Sequence, residues 1–188
     1  MIKIILMHPE NPGNVGAICR AMKNFGLTEL VIIGPKYAKG ISADKHTEAI
    51  KRAKHASDIL RKAKIVRTRD AQNFFNKMDL LVGTTAKLGT DYNIARTPVP
   101  IEDAARMINA SSRRGSVGIL FGPEGEGLSN EEVQLCDYII TIPSSEKYRS
   151  LNLSQAAVII FYEIDKQKMQ SCAKRVMEQF TPATKREK

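Results

Sequence analysis

The stretch Tyr138-Ile139-Ile140-Thr141-Ile142-Pro143-Ser144-Ser145-Glu146-Lys147-Tyr148-Arg149-Ser150-Leu151-Asn152-Leu153-Ser154 decides how this chain folds. Its first five residues are mostly β-branched and too few for a helix, so they read as a buried strand. A polar loop follows, and a long apolar helix pattern over residues 151–169 follows the loop. Ser150, Asn152 and Ser154 stand where that helix should begin. Residues of this kind either cap a helix or, with the free N–H groups there, hold a polar or anionic ligand. Strand, polar loop and helix in that order form the repeating unit of an α/β sheet. In such sheets the loops after strand ends bind ligands.

The same unit recurs upstream. Residues 3–7, 29–33, 64–67, 80–83 and 117–121 are short apolar runs, and with 138–142 they make six expected strands. Helix patterns lie between them. Val15, Ile18, Cys19, Met22 and Phe25 recur at helical spacing, and Gly26 ends that pattern. Residues 46–60 read as one basic helix, 70–77 as a short one and 101–110 as another. Residues 129–136 open with Ser129 and Glu132, the spacing of a capping box. The expected fold is α/β, a mostly parallel sheet with helices on both faces. Residues 87–99, with Gly89, Asp91, Asn93 and Pro98, read as a long loop.

Two further loops resemble the first in placement. One is Pro9-Glu10-Asn11-Pro12-Gly13-Asn14-Val15-Gly16-Ala17-Ile18-Cys19-Arg20-Ala21-Met22. The other is Phe121-Gly122-Pro123-Glu124-Gly125-Glu126-Gly127-Leu128-Ser129. Each follows an apolar run and leads into a helix pattern, so the three together suggest a composite site. Neither Gly-x-Gly-x-x-Gly after the first strand nor Gly-x-x-x-x-Gly-Lys-Ser/Thr occurs, which disfavours dinucleotide and P-loop nucleotide binding.

Composition narrows the class. At 188 residues, 43% apolar and 26% charged, the chain is ordinary globular material of one-domain size. The expected division is a single domain over residues 1–170 and a basic tail over 171–188. Cys19, Cys136 and Cys172 lack Cys-x-x-Cys spacing, so neither a zinc site nor a disulfide framework is expected, and reduced thiols fit a cytoplasmic protein. His8, His46 and His55 are scattered, which argues against a metal. His8 alone ends a strand beside a candidate loop. No apolar run reaches membrane-spanning length.

The net charge is +9, and it is clustered. Between residues 36 and 69 stand eleven Lys or Arg against three Asp or Glu, and residues 166–188 carry seven against two. Such clusters are either solvated helix faces or the footprint of a polyanion. Tyr37 and Tyr92 offer rings on which bases stack.

The three loops resemble the motifs of the SPOUT superfamily, in particular the SpoU (TrmH/TrmJ) class of RNA methyltransferases that act on ribose 2′-hydroxyls. Asn14-x-Gly16-x-x-x-Arg20-Ala21 is similar to motif 1, Phe121-Gly122-Pro123-Glu124 with Gly127-Leu128-Ser129 to motif 2, and Ile142-Pro143 with Ser150-Leu151-Asn152-Leu153-Ser154 to motif 3. The resemblance runs from residue 1 to about 164. It implies a C-terminal trefoil knot, S-adenosylmethionine as cofactor, and an RNA partner, with tRNA placed ahead of rRNA and DNA not expected. It also implies a homodimer in which Arg20 of one subunit faces the cofactor of the other.

Carried over by motif, the catalytic candidates are Arg20, Ser150, Asn152, Glu124 and Asn14. The cofactor candidates are Thr84, Thr85, Ala86, Gly122, Ile142, Arg149, Ser150 and Leu151. In this reading Glu124 pairs with Arg20 or with substrate, and Asn14 orients Arg20 or caps the first helix. A guanidinium holds its proton in proteins, so it suits gripping a phosphate or a developing alkoxide better than removing a proton. An rRNA substrate, or a non-catalytic RNA-binding module on the same scaffold, are the alternatives. Gly-Pro-Glu in motif 2 is like TrmL and TrmH relatives, where TrmJ has Gly-Arg-Glu, while Asn11-Pro12-Gly13-Asn14 is closer to TrmJ.

Overall fold

The computed structural model describes residues 1–35, 43–86, 98–145 and 147–177, with side chains described outside 43–46 and 170–177. Tyr37, Tyr92, residues 87–97 of the expected loop and 178–188 of the expected tail lie outside these. The elements run β1 (Ile2–Met7), α1 (Pro12–Asn24), β2 (Glu29–Ile33), α2 (Ala43–Ala53), α3 (Ser57–Lys62), β3 (Lys64–Val66), α4 (Ala71–Phe75), β4 (Leu80–Thr84), β5 (Pro98–Pro100), α5 (Ile101–Ser112), β6 (Val117–Phe121), α6 (Asn130–Leu135), β7 (Tyr138–Thr141) and α7 (Leu153–Met177). The strands form one parallel sheet in the order β3-β2-β1-β6-β4-β7-β5.

Alternation along each strand builds two apolar layers. Ile4, Leu6, Ile32, Val82, Ile119 and Phe121 face α1, α5 and α7, and Phe161 meets Phe121 edge to face at 6.2 Å. On the opposite side Ile5, Met7, Val31, Leu120 and Ile139 face Phe74 and Phe75 of α4 and Val133 of α6. Burial on both faces is why these runs are continuous in apolarity. Because all strands point one way, the loops after β1, β4, β6 and β7 share one edge of the sheet. Among the described residues no helix is long and apolar enough to cross a membrane.

Six strands fall where the sequence places them. The seventh, β5, is a three-residue edge strand bounded by two prolines, a composition that argues against a strand. Among the described residues it pairs only with β7, at the margin where missing donors are tolerated. α1 ends as expected. Phe25 is its cap, and Leu27 N–H donates to Met22 O at 2.8 Å with Gly26 at φ 66°, a Schellman closure.

The expected single basic helix over 46–60 is instead two helices. They are joined by a 3-10 turn, Lys54–Ala56, with Lys54 at φ 52°. The turn keeps Ala53, Ala56 and Ile59 all inside the core. Lys23 Nζ donates to the His55 carbonyl at 2.7 Å and to Asp58 at 2.9 Å, satisfying an acceptor the break releases. This partner comes from α1, so local periodicity carries no sign of it.

α2 lies against α1 at the closest range the backbone allows. A Cβ on Gly16 would sit 2.1 Å from the Ala49 carbonyl oxygen and 2.9 Å from Arg52 Cβ. Gly16→Ala should therefore push the two helices apart and cost roughly 1–3 kcal/mol, as overpacking does. Urea denaturation measures it, and an unchanged midpoint would show that the helices yield freely.

Candidate active site

The three motif loops converge at the carboxyl edge of the sheet. The loops after β4, β6 and β7 enclose a cavity of about 520 Å³ there, a size typical of small-molecule sites. All eight cofactor candidates line it: Thr84, Thr85, Ala86, Gly122, Ile142, Arg149, Ser150 and Leu151. Leu128, Ile140, Ala156 and Ile160 complete its apolar wall. Ile140, Ala156 and Ile160 show no sign of this role in the sequence because they look like ordinary strand or helix core. The motif 1 turn does not line the cavity; it braces the motif 2 and motif 3 loops from outside.

Local chemistry shapes each loop. After β4, Thr84 Oγ1 donates to Leu120 O at 3.1 Å and Thr85 N–H to Ile140 O at 3.0 Å, tying that loop to both neighbouring strands. After β6 the chain turns sharply, with Gly127 N–H on Pro123 O at 3.0 Å. A Cβ at Gly122 would stand 2.3 Å from the Gly127 and Leu128 backbone, so only glycine admits this fold-back. After β7 the loop supports itself through Ser144 Oγ to Arg149 O at 3.2 Å. α7 starts at Leu153, two residues later than expected. Asn152 caps it, its Oδ1 accepting from Ser154 N–H at 2.9 Å and Ser154 Oγ at 2.7 Å.

A directed chain of hydrogen bonds joins the loops. Because Asn152 Oδ1 is committed to Ser154, its Nδ2 points outward and donates to Asn14 Oδ1 at 3.1 Å. Asn14 Nδ2 in turn donates to Glu124 Oε1 at 3.0 Å. Glu124 also accepts the backbone N–H groups of Glu10 at 2.8 Å and Asn11 at 3.1 Å. The carboxylate thus clamps the motif 1 turn onto motif 2 with charge-assisted bonds. Two expectations are corrected here. Glu124 does not pair with Arg20; its described partners are Glu10, Asn11 and Asn14. Asn14 does not cap α1; Asn11 does, its side chain accepting from Gly13 N–H at 2.7 Å.

Comparison with known proteins fixes the family. The pattern of the SpoU rRNA Methylase family matches residues 1–162. The chain belongs to that family. It is 40% identical over 172 residues to the tRNA (cytidine-2′-O-)-methyltransferase TrmJ of Methanocaldococcus jannaschii, covering 91% of this chain and 70% of that one. It is 35% identical to the tRNA (cytidine/uridine/adenosine-2′-O-)-methyltransferase TrmJ of Pseudomonas aeruginosa, covering 87% of this chain and 60% of the relative. The crystal structure of TrmJ from Z. mobilis ZM4 superposes with a TM-score of 0.76 at 32% identity, covering 88% of this chain and 69% of that one. This SpoU-family chain therefore spans between three-fifths and about seven-tenths of the length of these relatives.

In this SpoU-family chain Arg20 is apart from the other candidates. It lies on the exposed face of α1, outside the cavity lining, and makes no ion pair among the described residues. Its neighbour Cys19 is buried, and burial pushes its thiol up to about 12, so no thiolate nucleophile is available there. α7 packs beside α1, with Tyr162 edge-on to Phe25 at 6.4 Å. Val158, Ile159 and Tyr162 form an apolar stripe there, 42%, 37% and 55% exposed. Over α2, α3 and β3, Lys51, Arg52, Lys54, Arg61, Lys62, Lys64, Arg67 and Arg69 are all exposed. Arg52 lies directly over Gly16, so the basic surface adjoins the motif 1 helix.

Proposed function

We propose that the chain transfers a methyl group from S-adenosylmethionine to a ribose 2′-hydroxyl of tRNA, as a homodimer in the cytoplasm, on a scaffold with a C-terminal trefoil knot. The observation that carries the reading is the cavity at the carboxyl edge of the sheet, enclosed by motif 2 and motif 3 and braced to motif 1 by the Ser154–Asn152–Asn14–Glu124 chain. The relatives' substrates and the family membership support the same conclusion. Cys19 and Cys136, both buried thiols, suit a reducing compartment.

The cavity fits the cofactor chemically. Gly122 and the Thr84–Ala86 backbone present peptide groups for an adenine edge, while Ile142, Leu128 and Leu151 offer apolar surface for its face. Bound there, S-adenosylmethionine supplies an electrophilic methyl on a sulfonium leaving group. The rest falls to the protein. The clamped loops hold the acceptor hydroxyl in line with that methyl, the arrangement that contributes most to such displacements. Ser150, exposed at the cavity mouth, contacts the ribose or passes its proton to water. Arg20 of the second subunit neutralises the oxygen as its proton leaves, without itself deprotonating. The α7 stripe of Val158, Ile159 and Tyr162, next to α1, is the surface that would bury in the dimer.

The test is transfer of labelled methyl from S-adenosylmethionine to tRNA, and separately to rRNA, each lacking this modification. Label entering tRNA is expected. Label entering rRNA alone would move the substrate, and no label in either would overturn the reading. A related result concerns RNA affinity. Replacing Lys51, Arg52 and Lys54 with glutamine should lower the slope of log affinity against log salt by roughly one unit for each phosphate no longer neutralised. An unaltered slope would place the RNA elsewhere.

A further inference from the structure

Tyr148 is 79% exposed, more than any other large hydrophobic side chain among the described residues. A single exposed apolar side chain is ordinary, so its meaning depends on its place. Tyr148 belongs to the loop after β7, and the next three residues, Arg149, Ser150 and Leu151, all line the cavity. Tyr148 itself does not. One peptide unit, about 3.8 Å, separates its Cα from that of Arg149, so the ring stands in solvent beside the cavity mouth. The other exposed aromatic side chains among the described residues stand elsewhere. Tyr162 packs edge-on to Phe25 in the α7 stripe, and Tyr138 opens β7 at the opposite, amino edge of the sheet.

The backbone under this ring is fixed on both sides. Tyr148 N–H donates to Ser145 O at 3.0 Å, closing a turn, and Arg149 O accepts from Ser144 Oγ at 3.2 Å. Past the cavity residues, Asn152 ties the same loop to Asn14 at 3.1 Å. Among the described residues no ring or cation packs on the ring of Tyr148. A fixed backbone that carries an uncovered ring can bind a flat partner with little ordering cost.

Charge on the cavity loops narrows the partner. Residues 143–152 hold Lys147 and Arg149 against Glu146, while residues 121–129 hold Glu124 and Glu126 and no Lys or Arg. A phosphate backbone reaching the cavity therefore passes along the motif 3 side, beside Tyr148. With the cofactor in the cavity, an incoming nucleotide can bring its ribose to the mouth but must leave its base outside. An unstacked RNA base has apolar faces to cover, and aromatic side chains cover them. Every base has such a face, so a ring here accepts single-stranded RNA without choosing among bases.

We propose that Tyr148 is the stacking platform for the base of the nucleotide whose ribose is methylated. This rests on the ribose-transfer reading. The chain contains no tryptophan, so Tyr148→Trp places a single indole at the platform. Without RNA its emission should be that of a water-exposed indole, and tRNA should quench it saturably. The same tRNA lacking the base at the mapped methylation position should leave it unquenched. In methyl transfer, Tyr148→Ala should raise KM for tRNA roughly 5- to 100-fold, the scale of one base–aromatic stack, with cofactor affinity by calorimetry within about twofold. Tyr148→Phe keeps the ring and should hold KM within about twofold of the unsubstituted value. An alanine variant with the unsubstituted KM, or quenching that survives removal of the base, would overturn the platform. So would an indole already shielded before RNA is added, which would assign the ring to a contact between copies of this chain. No methyl transfer by the unsubstituted chain would instead defeat the ribose-transfer reading, and the platform with it.

Discussion

Arg20→Ala lowers kcat for methyl transfer roughly 10²- to 10³-fold and leaves cofactor affinity within twofold, the expectation for loss of one positioned charge at a developing oxyanion. The structure separates the two quantities. Arg20 stands outside the cavity that would hold the cofactor and on an exposed helix face, so its removal leaves that cavity intact. Because α1 is anchored by Asn14 and Asn11 to Glu124, the helix itself stays in place. Single-turnover kinetics and calorimetry measure the two effects. A tenfold weaker cofactor affinity with unchanged kcat would place Arg20 at the cofactor and not at the acceptor oxygen. Arg20→Lys should recover part of the rate, since charge is kept while the planar donor fork is absent.

Mixing two inactive variants restores activity if Arg20 works across a subunit boundary. Arg20→Ala keeps an intact cavity. Leu151→Trp fills the cavity and keeps Arg20. A mixed dimer has one site with both intact parts and one with neither. Half the dimers are mixed at random assembly, so about one quarter of full activity should return in a closed twofold dimer. Recovery below a few per cent, with mixed dimers confirmed by mass spectrometry, would show that each subunit uses its own arginine. Val158→Arg on the exposed α7 stripe should give a monomer by sedimentation and abolish the recovery.

Much of this arrangement is legible in the sequence, for identifiable reasons. β1, β2, β4, β6 and β7 are buried on both faces, so they appear as unbroken apolar runs. Ser129 and Glu132 form their capping box because that motif is local. The eight cofactor candidates meet in one cavity because each follows a parallel strand, and parallel strands deliver their loops to one edge. What the sequence hides depends on distant partners. The break at Lys54 depends on core packing against α1 and on Lys23. β5 exists because β7 offers an unpaired edge to a segment whose prolines argue against it. Glu124 looks like a solvated glutamate in a glycine-rich turn until the β1 loop arrives beside it, 113 residues away in sequence for Asn11. His8 shows its place at a strand end, but its left-handed backbone and fixed ring depend on Gly34.

The position of the transferred methyl group decides between ribose and base chemistry. RNA methylated by this chain with labelled S-adenosylmethionine is treated with alkali and then digested to nucleosides. Label is expected in an alkali-resistant dinucleotide that yields a 2′-O-methylated nucleoside, because a blocked 2′-hydroxyl cannot attack the neighbouring phosphate. Label released in mononucleotides, on a base nitrogen or carbon, would contradict ribose transfer and with it the role assigned to Arg20.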